Sequence, residues 1–242
     1  MIVEPNVTLI ASTCIEVADN MRDDALSEWM ETYPEFTAAE MLTEFAGRSC
    51  YQSFHRPNPA TAGTGDYLLR TLFQQGHWSI AEHASATFYI TGVSRAFTHE
   101  LIRHRHLSFS QLSQRFVDGT DSNIVLPPAL RAAHKQAAEH GPDDYMIDAL
   151  LDADVAQAHA YEAIVDALDS AGLPRKQARE AARAVLSNMT ETRIVVTGNM
   201  RAWYEFLQKR LDPAADAEIQ EVAGLIRDEL HEVAPSIFPK ED

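Results

Sequence analysis

Residues 84–115 read ASATFYITGVSRAFTHELIRHRHLSFSQLSQR and set the architecture of the chain. Apolar and polar residues alternate through 84–94, which is typical of a strand with one buried face. Helical spacing follows over 95–104. A second buried strand is predicted at TRIVVTG, 192–198, and a helix follows it over 199–211. Isolated strands separated by long helices predict an α/β or α+β fold, helix-rich around a modest mixed or antiparallel sheet.

The rest of the chain is predicted to be mainly helical. Further helices are expected over 21–31, 37–49, 66–75, 144–171, 174–186 and 214–233. Thr37 is the predicted N-cap of the second of these. A first strand and turn are expected over 3–19, a Pro/Gly loop over 55–65, and a loop or short strand over 117–128. No repeat or Gly/Ser linker divides the sequence, so we expect a single domain over 1–242.

The composition is that of an ordinary globular protein. The chain has 242 residues, of which 45% are hydrophobic and 23% charged, which excludes a mainly disordered, collagen-like or coiled-coil chain. Its net charge of −16 disfavours general binding to nucleic acid or anionic membranes, so neither is expected as a partner. The N-terminus lacks a basic segment before its apolar residues, and no apolar run approaches the ~20 residues that span a bilayer. We therefore expect a cytoplasmic protein.

The two cysteines, Cys14 and Cys50, are too few for a disulfide framework or a cysteine zinc site. We predict two reduced, buried thiols.

Residues 100–115 concentrate positive charge in this acidic chain. Arginines, histidines and serines follow one another there: Arg103, His104, Arg105, His106, Ser108, Ser110, Ser113 and Arg115. Arginine forks bind phosphate in bidentate fashion, and hydroxyls supply neutral donors beside them. The segment therefore predicts a site for an anionic ligand; the alternative is a solvated polar helix end.

A second polar segment, GHWSIAEH, covers residues 76–83. Ser79 and Glu82 match the S-x-x-E capping box, so Ser79 is predicted to begin a short helix. A helix N-terminus is itself a phosphate site, so capping and ligand binding are compatible roles for this serine. His77 and His83 remain open to a structural interpretation.

The helix predicted over 174–186 carries a third basic segment. Arg175, Arg179 and Arg183 are spaced four residues apart and predict one cationic stripe. A stripe exposed only to solvent is the alternative.

The helix predicted over 199–211 has a second candidate face. Asn199, Phe206 and Arg210 fall close together on it, and the first and last are ~16 Å apart along the axis at ~1.5 Å per residue. We expect this face to span a long ligand. Arg201 lies nearly opposite and is expected to contact something else.

These segments together resemble one enzyme family. Arg103-His104-Arg105, then seven residues, then Ser113 resembles the RHR-x7-S signature of the flavin-dependent thymidylate synthases, the ThyX family. The resemblance covers roughly residues 70–210 clearly. It implies a ThyX-like fold and a methyltransferase that converts dUMP to dTMP. The implied carbon donor is 5,10-methylenetetrahydrofolate, and the implied hydride source is FAD reduced by NADPH. It also implies a homotetramer with active sites shared between subunits.

The resemblance also implies roles for individual residues. The implied FAD contacts are Ser79, Arg103, His104, Arg105, Gln111, Asn199 and Arg201. The implied dUMP contacts are Glu100, Arg103, Gln111, Ser113, Gln114, Arg115, Arg183 and Arg210, with Arg95 as a weaker candidate across a subunit interface. His77 is placed near the flavin and folate entrance. Arg210 is the implied catalytic residue, which activates the uracil ring electrostatically. Ser113 is expected to bind rather than attack, and neither cysteine is expected to be a nucleophile.

Three positions depart from the family pattern. Glu100 stands where glutamine is frequent, and we expect its carboxylate to orient Arg103 or to contact the uracil edge. Glu205 and Ala214 stand where many members offer Asn or His to the flavin. We therefore expect weaker FAD affinity than is usual in the family.

Two other function classes stay open at this point. One is a non-catalytic nucleotide-binding paralogue, which would bind dUMP without flavin reduction. The other is a metal-dependent phosphohydrolase using His77, His83, His99, His104 and His106. No metal is expected, because arginines surround the histidines near residue 104 and repel cations.

Overall fold

The coordinates are a computed structural model. It describes residues 1–16, 36–56, 58–120, 122–140 and 145–240. The helix predicted over 21–31 lies outside these residues.

A four-stranded antiparallel sheet lies at the centre of the fold. Its strands, in spatial order, are β2 Asn6–Ser12, β3 Ser85–Ser94, β6 Glu191–Asn199 and β4 Ser108–Gln111. β1 Ile2–Val3 pairs in parallel with β5 Ile124–Val125 in a separate two-stranded sheet. Burial alternates along the middle of β3, where Phe88 and Ile90 are fully buried, because successive strand residues point to opposite faces. Both central strands are confirmed, as is the combination of helices with a modest sheet.

Helices and shorter turns occupy most of the remaining described chain. The α-helices are α1 Ala38–Tyr51, α2 Thr64–Leu68, α3 Arg95–Leu101, α4 Pro128–His140, α5 Tyr145–Ser170, α6 Arg175–Ala182, α7 Met200–Arg210 and α8 Ala217–Val233. A π-helical turn, Leu69–Gln74, continues α2, and 3₁₀ turns cover Pro59–Thr61, Trp78–Glu82 and Arg183–Val185. Thr37 caps α1 in a complete capping box with Glu40, as predicted. α4 and β4 were not predicted from the sequence.

α7 is fixed against the sheet by Trp203, which is fully buried. Its indole Nε1 donates to the Ala86 carbonyl of β3 at 3.1 Å, and its ring packs edge-on to Phe88. Gly198, the residue before the last of β6, allows this close approach, because a Cβ there would overlap the Leu107 side chain and lie 3.1 Å from the indole nitrogen. Because the Leu107 side chain also lies against Gly198, the segment that leads into β4 is anchored at the same place.

Cys14 and Cys50 are free thiols, and both are exposed. The prediction of buried thiols is therefore wrong. Each lies close to the end of a surface element, after β2 and in the last turn of α1, where little of the chain covers it.

None of the helices described by the structure combines the length and apolar character that crossing a bilayer requires.

Candidate active site

A tight turn between α3 and β4 carries the Arg103-His104-Arg105 triplet. The helix ends at Leu101, earlier than the predicted 104, and the next amides close turns: Arg103 N–H donates to Glu100 O and His104 N–H to Leu101 O. Leu107, 6% exposed, anchors the far side of the turn in the core. The triplet is therefore held in a turn with its cationic side chains on the surface.

Two adjoining clefts lie between this turn and α7. The first, of about 380 Å³, is lined by Arg103, His104, Arg105, His106, Leu107, Ala202, Glu205, Lys209 and Arg210. The second, of about 220 Å³, is lined by Glu82, His106, Asn199, Arg201, Ala202 and Glu205. They share His106, Ala202 and Glu205, so one elongated ligand has a continuous path across both. The first cleft is strongly cationic, which supports the predicted anion site.

Arg210 is held in a fixed orientation at the end of α7. Its Nε donates to His104 Nε2 at 2.9 Å, and its Nη1 donates to Glu100 Oε2 at 2.9 Å. The side chain is 18% exposed. Two partners on different atoms fix the guanidinium plane. Glu100 therefore orients Arg210 and not Arg103, which corrects one of the two roles expected for its carboxylate; its contact with the uracil edge stays a prediction.

His104 is the neutral partner in this arrangement. Burial, followed by the positive charges of Arg210, Lys209 and Arg103, lowers the pKa of its imidazole from 6.5 to about 4. Because the Arg210 guanidinium only donates, His104 Nε2 must accept, and the ring proton lies on Nδ1. The imidazole also packs edge-on against Phe206, with ring centroids 5.0 Å apart.

Replacing this imidazole is expected to reduce the acid sensitivity of folding. In wild type the pKa of His104 is about 4 when folded and near 6.5 when unfolded. As the pH falls through this window the unfolded chain takes up the proton first, so the free energy of unfolding decreases. His104→Gln should flatten that decrease, as measured by urea unfolding across the window and above it. His83→Gln, at an exposed histidine, serves as control. Equal pH slopes of the unfolding free energy in wild type and His104→Gln would contradict the lowered pKa of His104.

Asn199 and Arg201 line the same second cleft, whereas the sequence placed them on opposite sides of a helix. The reason is that Asn199 is the N-cap and stands outside the helix, where its side chain accepts from Ala202 N–H. Arg201 pairs with Glu82 at 2.6 Å and with Glu205 at 3.1 Å.

The predicted face of Asn199, Phe206 and Arg210 is not open along its length. Phe206 is fully buried, so only the two ends of the face reach the clefts. The continuous path between them runs over Ala202 and Glu205 instead.

Ser79 does not begin a helix, so its predicted capping role is wrong. The turn Trp78–Glu82 is 3₁₀ and starts one residue earlier, after His77, without a side-chain cap. Trp78 stacks on Tyr204 with ring centroids 3.8 Å apart, and this contact from α7 fixes the start of the turn.

Ser79 and His77 line a separate groove on the other side of this turn. Two adjoining cavities of about 280 and 250 Å³ form the groove and share Tyr51, Tyr67, Thr71 and His77. Ser79 lines the second of them. The groove and the clefts thus flank the turn, with Glu82 on the cleft side.

A third set of predicted residues lies around β4 and α6. Gln111 Nε2 donates to Thr98 Oγ1 and Thr192 Oγ1, which ties β4 to α3 and β6. Arg115 pairs with Glu180 at 3.2 Å. Burial, followed by the positive charge of Arg183, lowers the pKa of Arg95.

The cationic stripe of α6 is partly neutralised. Arg179 pairs with Asp118 at 2.7 Å and donates to the Phe116 carbonyl. Arg175 is exposed at the start of the helix, and Arg183 follows its last residue. Neither cleft beside Arg210 is lined by this stripe or by Ser113, Gln114 or Arg115.

Lys209 and the groove tyrosines were missed by the sequence analysis. Lys209 stands beside Arg210 in the sequence, and that adjacency was the available signal. Tyr67 gave no signal, because only the folded chain places it near His77.

The metal alternative finds no support in the geometry. In the described part of the chain, no three His, Cys, Asp or Glu side chains are arranged to hold a metal ion.

Comparison with known proteins gives a consistent result. Residues 34–236 match the family model described as thymidylate synthase complementing protein. A flavin-dependent thymidylate synthase of Mycobacteroides abscessus is 52% identical over 204 residues, covering 81% of this chain and 77% of that protein. A probable flavin-dependent thymidylate synthase of Mycobacterium phage D29 is 48% identical over 232 residues, covering 96% and 94%.

Two solved structures share the fold. Thymidylate synthase X from Helicobacter pylori, solved with FAD and dUMP, aligns with a TM-score of 0.60 at 21% identity, covering 97% of both chains. The UMP/dUMP methylase PolB from Streptomyces cacaoi, bound with 5-Br dUMP, aligns with a TM-score of 0.67 at 21% identity, covering 98% of this chain and 93% of that one.

Proposed function

This chain belongs to the flavin-dependent thymidylate synthases, and from that premise we propose how its own residues carry out the reaction. The enzyme uses FAD and methylates dUMP to dTMP. The observation that carries the proposal is Arg210, oriented by Glu100 and neutral His104 at a cationic cleft beside the Arg103-His104-Arg105 turn.

The residues of the two clefts fit FAD. Arg103 and Arg105 line the first cleft, and no carboxylate of the described residues forms an ion pair with either, so their guanidinium groups remain available to a pyrophosphate. Asn199 and Arg201 line the adjoining cleft and would contact the far part of the cofactor. FAD supplies the hydride chemistry. Gln111 and Ser79 lie outside both clefts, and their FAD contacts are proposed from the family resemblance.

Arg210 activates the uracil ring in this proposal. C5 of the pyrimidine becomes nucleophilic when negative charge is stabilised from N3 to O4, and a fixed guanidinium supplies that stabilisation without reorganising. Glu100 and His104 keep Arg210 in place from two sides. No cysteine lines either cleft as the described residues form them, although Cys50 lines the groove around His77. That Arg210 acts without a cysteine nucleophile is proposed from the family resemblance.

The phosphate of dUMP is assigned to four residues that lie in or next to the segments around β4 and α6. Ser113, Gln114, Arg115 and Arg183 combine hydroxyl, amide and guanidinium donors, the mixture that phosphate prefers. The repulsion between Arg95 and Arg183 supports this, since a bound anion near both guanidinium groups would offset it.

Removing one of these arginines is expected to weaken dUMP binding. Arg183→Gln should raise the dissociation constant about tenfold to a hundredfold, because a charged hydrogen bond contributes ~1.5–3 kcal/mol. Isothermal titration with dUMP in the presence of FAD measures the change. Arg175→Gln, at an exposed arginine that begins the preceding helix α6, is the matched control. Equal affinities in the two variants would remove Arg183 from the site.

We further propose a cytoplasmic, single-domain homotetramer with active sites shared between subunits. The support is geometric: the phosphate residues line neither cleft beside Arg210, so one chain presents partial sites. The proposed co-substrates are 5,10-methylenetetrahydrofolate and NADPH. The groove around His77, with its tyrosines, suits the aromatic rings of such molecules and is the proposed flavin and folate entrance.

Glu205 is the feature expected to weaken FAD affinity. Its carboxylate lines both clefts on the proposed cofactor path. Glu205→Gln should tighten FAD binding about two- to fivefold, since charges at partly exposed sites contribute ~0.5–1 kcal/mol. Arg201 keeps Glu82 as a partner in this variant. FAD titration of the apoprotein measures the effect. Asp152→Asn on α5 changes the net charge equally and should leave FAD affinity unchanged. The proposal would be contradicted if Asp152→Asn tightened FAD binding as much as Glu205→Gln, or if Glu205→Gln did not tighten it.

The function is tested by product analysis. The purified protein is supplied with FAD, dUMP, 5,10-methylenetetrahydrofolate and NADPH, and dTMP is identified by mass; each reagent is then left out in turn. We expect dTMP only with the complete mixture. Binding of dUMP without any dTMP would instead support the non-catalytic paralogue.

A further inference from the structure

A buried carboxylate of α8 holds the residue that precedes α3, away from both clefts. Glu218 is 5% exposed. Its Oε1 accepts from Ser94 N–H at 2.7 Å, and its Oε2 accepts from Ser94 Oγ at 2.6 Å. Both hydrogen bonds bridge elements far apart in sequence.

Capping alone does not require this carboxylate. Ser94 Oγ already caps α3 by accepting from Phe97 N–H at 3.0 Å. Burying a carboxylate is costly, and that burial raises the pKa of Glu218. The contact with Glu218 adds something different, because it fixes the start of α3 to a neighbouring helix.

One of the two helices joined in this way, α3, carries a group that contacts Arg210, and the other, α8, follows the helix that ends at Arg210. α3 begins at Arg95, directly after Ser94, and bears Glu100 near its other end. Glu218 lies in the first turn of α8, which follows α7 and its last residue, Arg210, through the connection 211–216. Any rotation of α3 relative to α7 and α8 would therefore change the contact between Glu100 and Arg210.

We propose that Glu218 and Ser94 are positioning residues for the reaction, which set the placement of α3 and thereby hold Glu100 against Arg210. Neither residue touches substrate or cofactor in this proposal. The inference rests on the proposed function of Arg210.

The test compares two buried glutamates. Glu218→Gln should lower kcat about tenfold to a hundredfold, because a displacement of ~1 Å at a reacting group has an effect of this size. Its flavin content and its KM for dUMP should change little. Glu40→Gln is the matched control: Glu40 is 1% exposed in the first turn of α1 and accepts from Ser236 N–H at 2.7 Å. It should lower stability without lowering kcat.

Variants of the serine separate positioning from general destabilisation. Ser94→Ala should reproduce the kcat loss, and Ser94→Thr, which retains the hydroxyl, should restore most of it. Combining Glu218→Gln with Glu100→Ala should lower kcat little further than Glu100→Ala alone. The inference would be overturned if the two single substitutions lowered kcat by factors that multiply in the double variant. It would also be overturned if Glu218→Gln and Glu40→Gln lowered kcat equally.

A readout independent of turnover distinguishes this inference from the proposed function. If Arg210 shifts in Glu218→Gln, its charge acts less on His104, and the pKa of that imidazole rises from about 4. NMR titration measures the pKa of His104 whether or not the wild type forms dTMP. A wild type that forms no dTMP would contradict the proposed function and leave the positioning role to be tested by this pKa. An unchanged pKa of His104 in Glu218→Gln would overturn the positioning role.

Discussion

Arg210→Ala is expected to reduce dTMP formation more than any other substitution considered. We expect kcat to fall about a hundredfold to a thousandfold, the size of effect found when one preorganised donor to a developing anion is removed. Arg210→Lys should recover only a small part of the lost kcat. A lysine has a single ammonium nitrogen, whereas the planar guanidinium donates to His104 and Glu100 from two separate nitrogens. Steady-state turnover with saturating FAD measures both variants.

The control for this prediction is an arginine on the neighbouring helix. Arg227 lies on α8 and pairs with the adjacent Asp228, outside both clefts. Arg227→Ala should leave kcat unchanged. If Arg210→Ala retained wild-type turnover, Arg210 could not be the group that activates the uracil ring.

Gly92→Ala is expected to give the largest loss of stability. Gly92 has φ +65°, and an added Cβ would overlap the Glu4 carbonyl oxygen of the connection between β1 and β2. The left-handed conformation costs an alanine roughly 1–2 kcal/mol, and the forced backbone shift adds roughly 1–3 kcal/mol. We therefore expect the free energy of unfolding to fall by ~2–5 kcal/mol, as measured by urea denaturation.

A second glycine separates the two contributions. Gly172 has φ +80°, and an added Cβ there would meet no atom within 4 Å. Gly172→Ala should therefore show only the conformational part, ~1–2 kcal/mol. Equal losses in the two variants would mean that the backbone contact at Glu4 does not constrain the sheet.

Much of the fold follows from local sequence patterns. The alternation in 84–94 and the apolar run in 192–198 identified the two central strands, because both strands bury one face against helices. β4, SFSQ, was missed because it is short and polar, and its pairing with β6 comes from the tertiary fold. α4 was missed because alanine supplies most of its apolar residues, so its pattern is weak.

The candidate site was predictable in its residue types but not in its partners. The basic segment with the RHR triplet marked an anion site by its charge, whereas the role of Arg210 was implied by the family resemblance. The contact between Glu100 and Arg210 joins residues 110 positions apart, and no local pattern reveals it. Ser79 was misplaced because stacking of Trp78 on Tyr204 fixes where its turn begins, and this is a tertiary effect.

The most direct test of the account is the visible absorption spectrum of the protein loaded with FAD, followed anaerobically as NADPH and then dUMP are added. The account predicts that the oxidised flavin band is lost, and lost faster when dUMP is present, because cofactor and nucleotide occupy one working site beside Arg210. A flavin band that persists with NADPH, with and without dUMP, would contradict it.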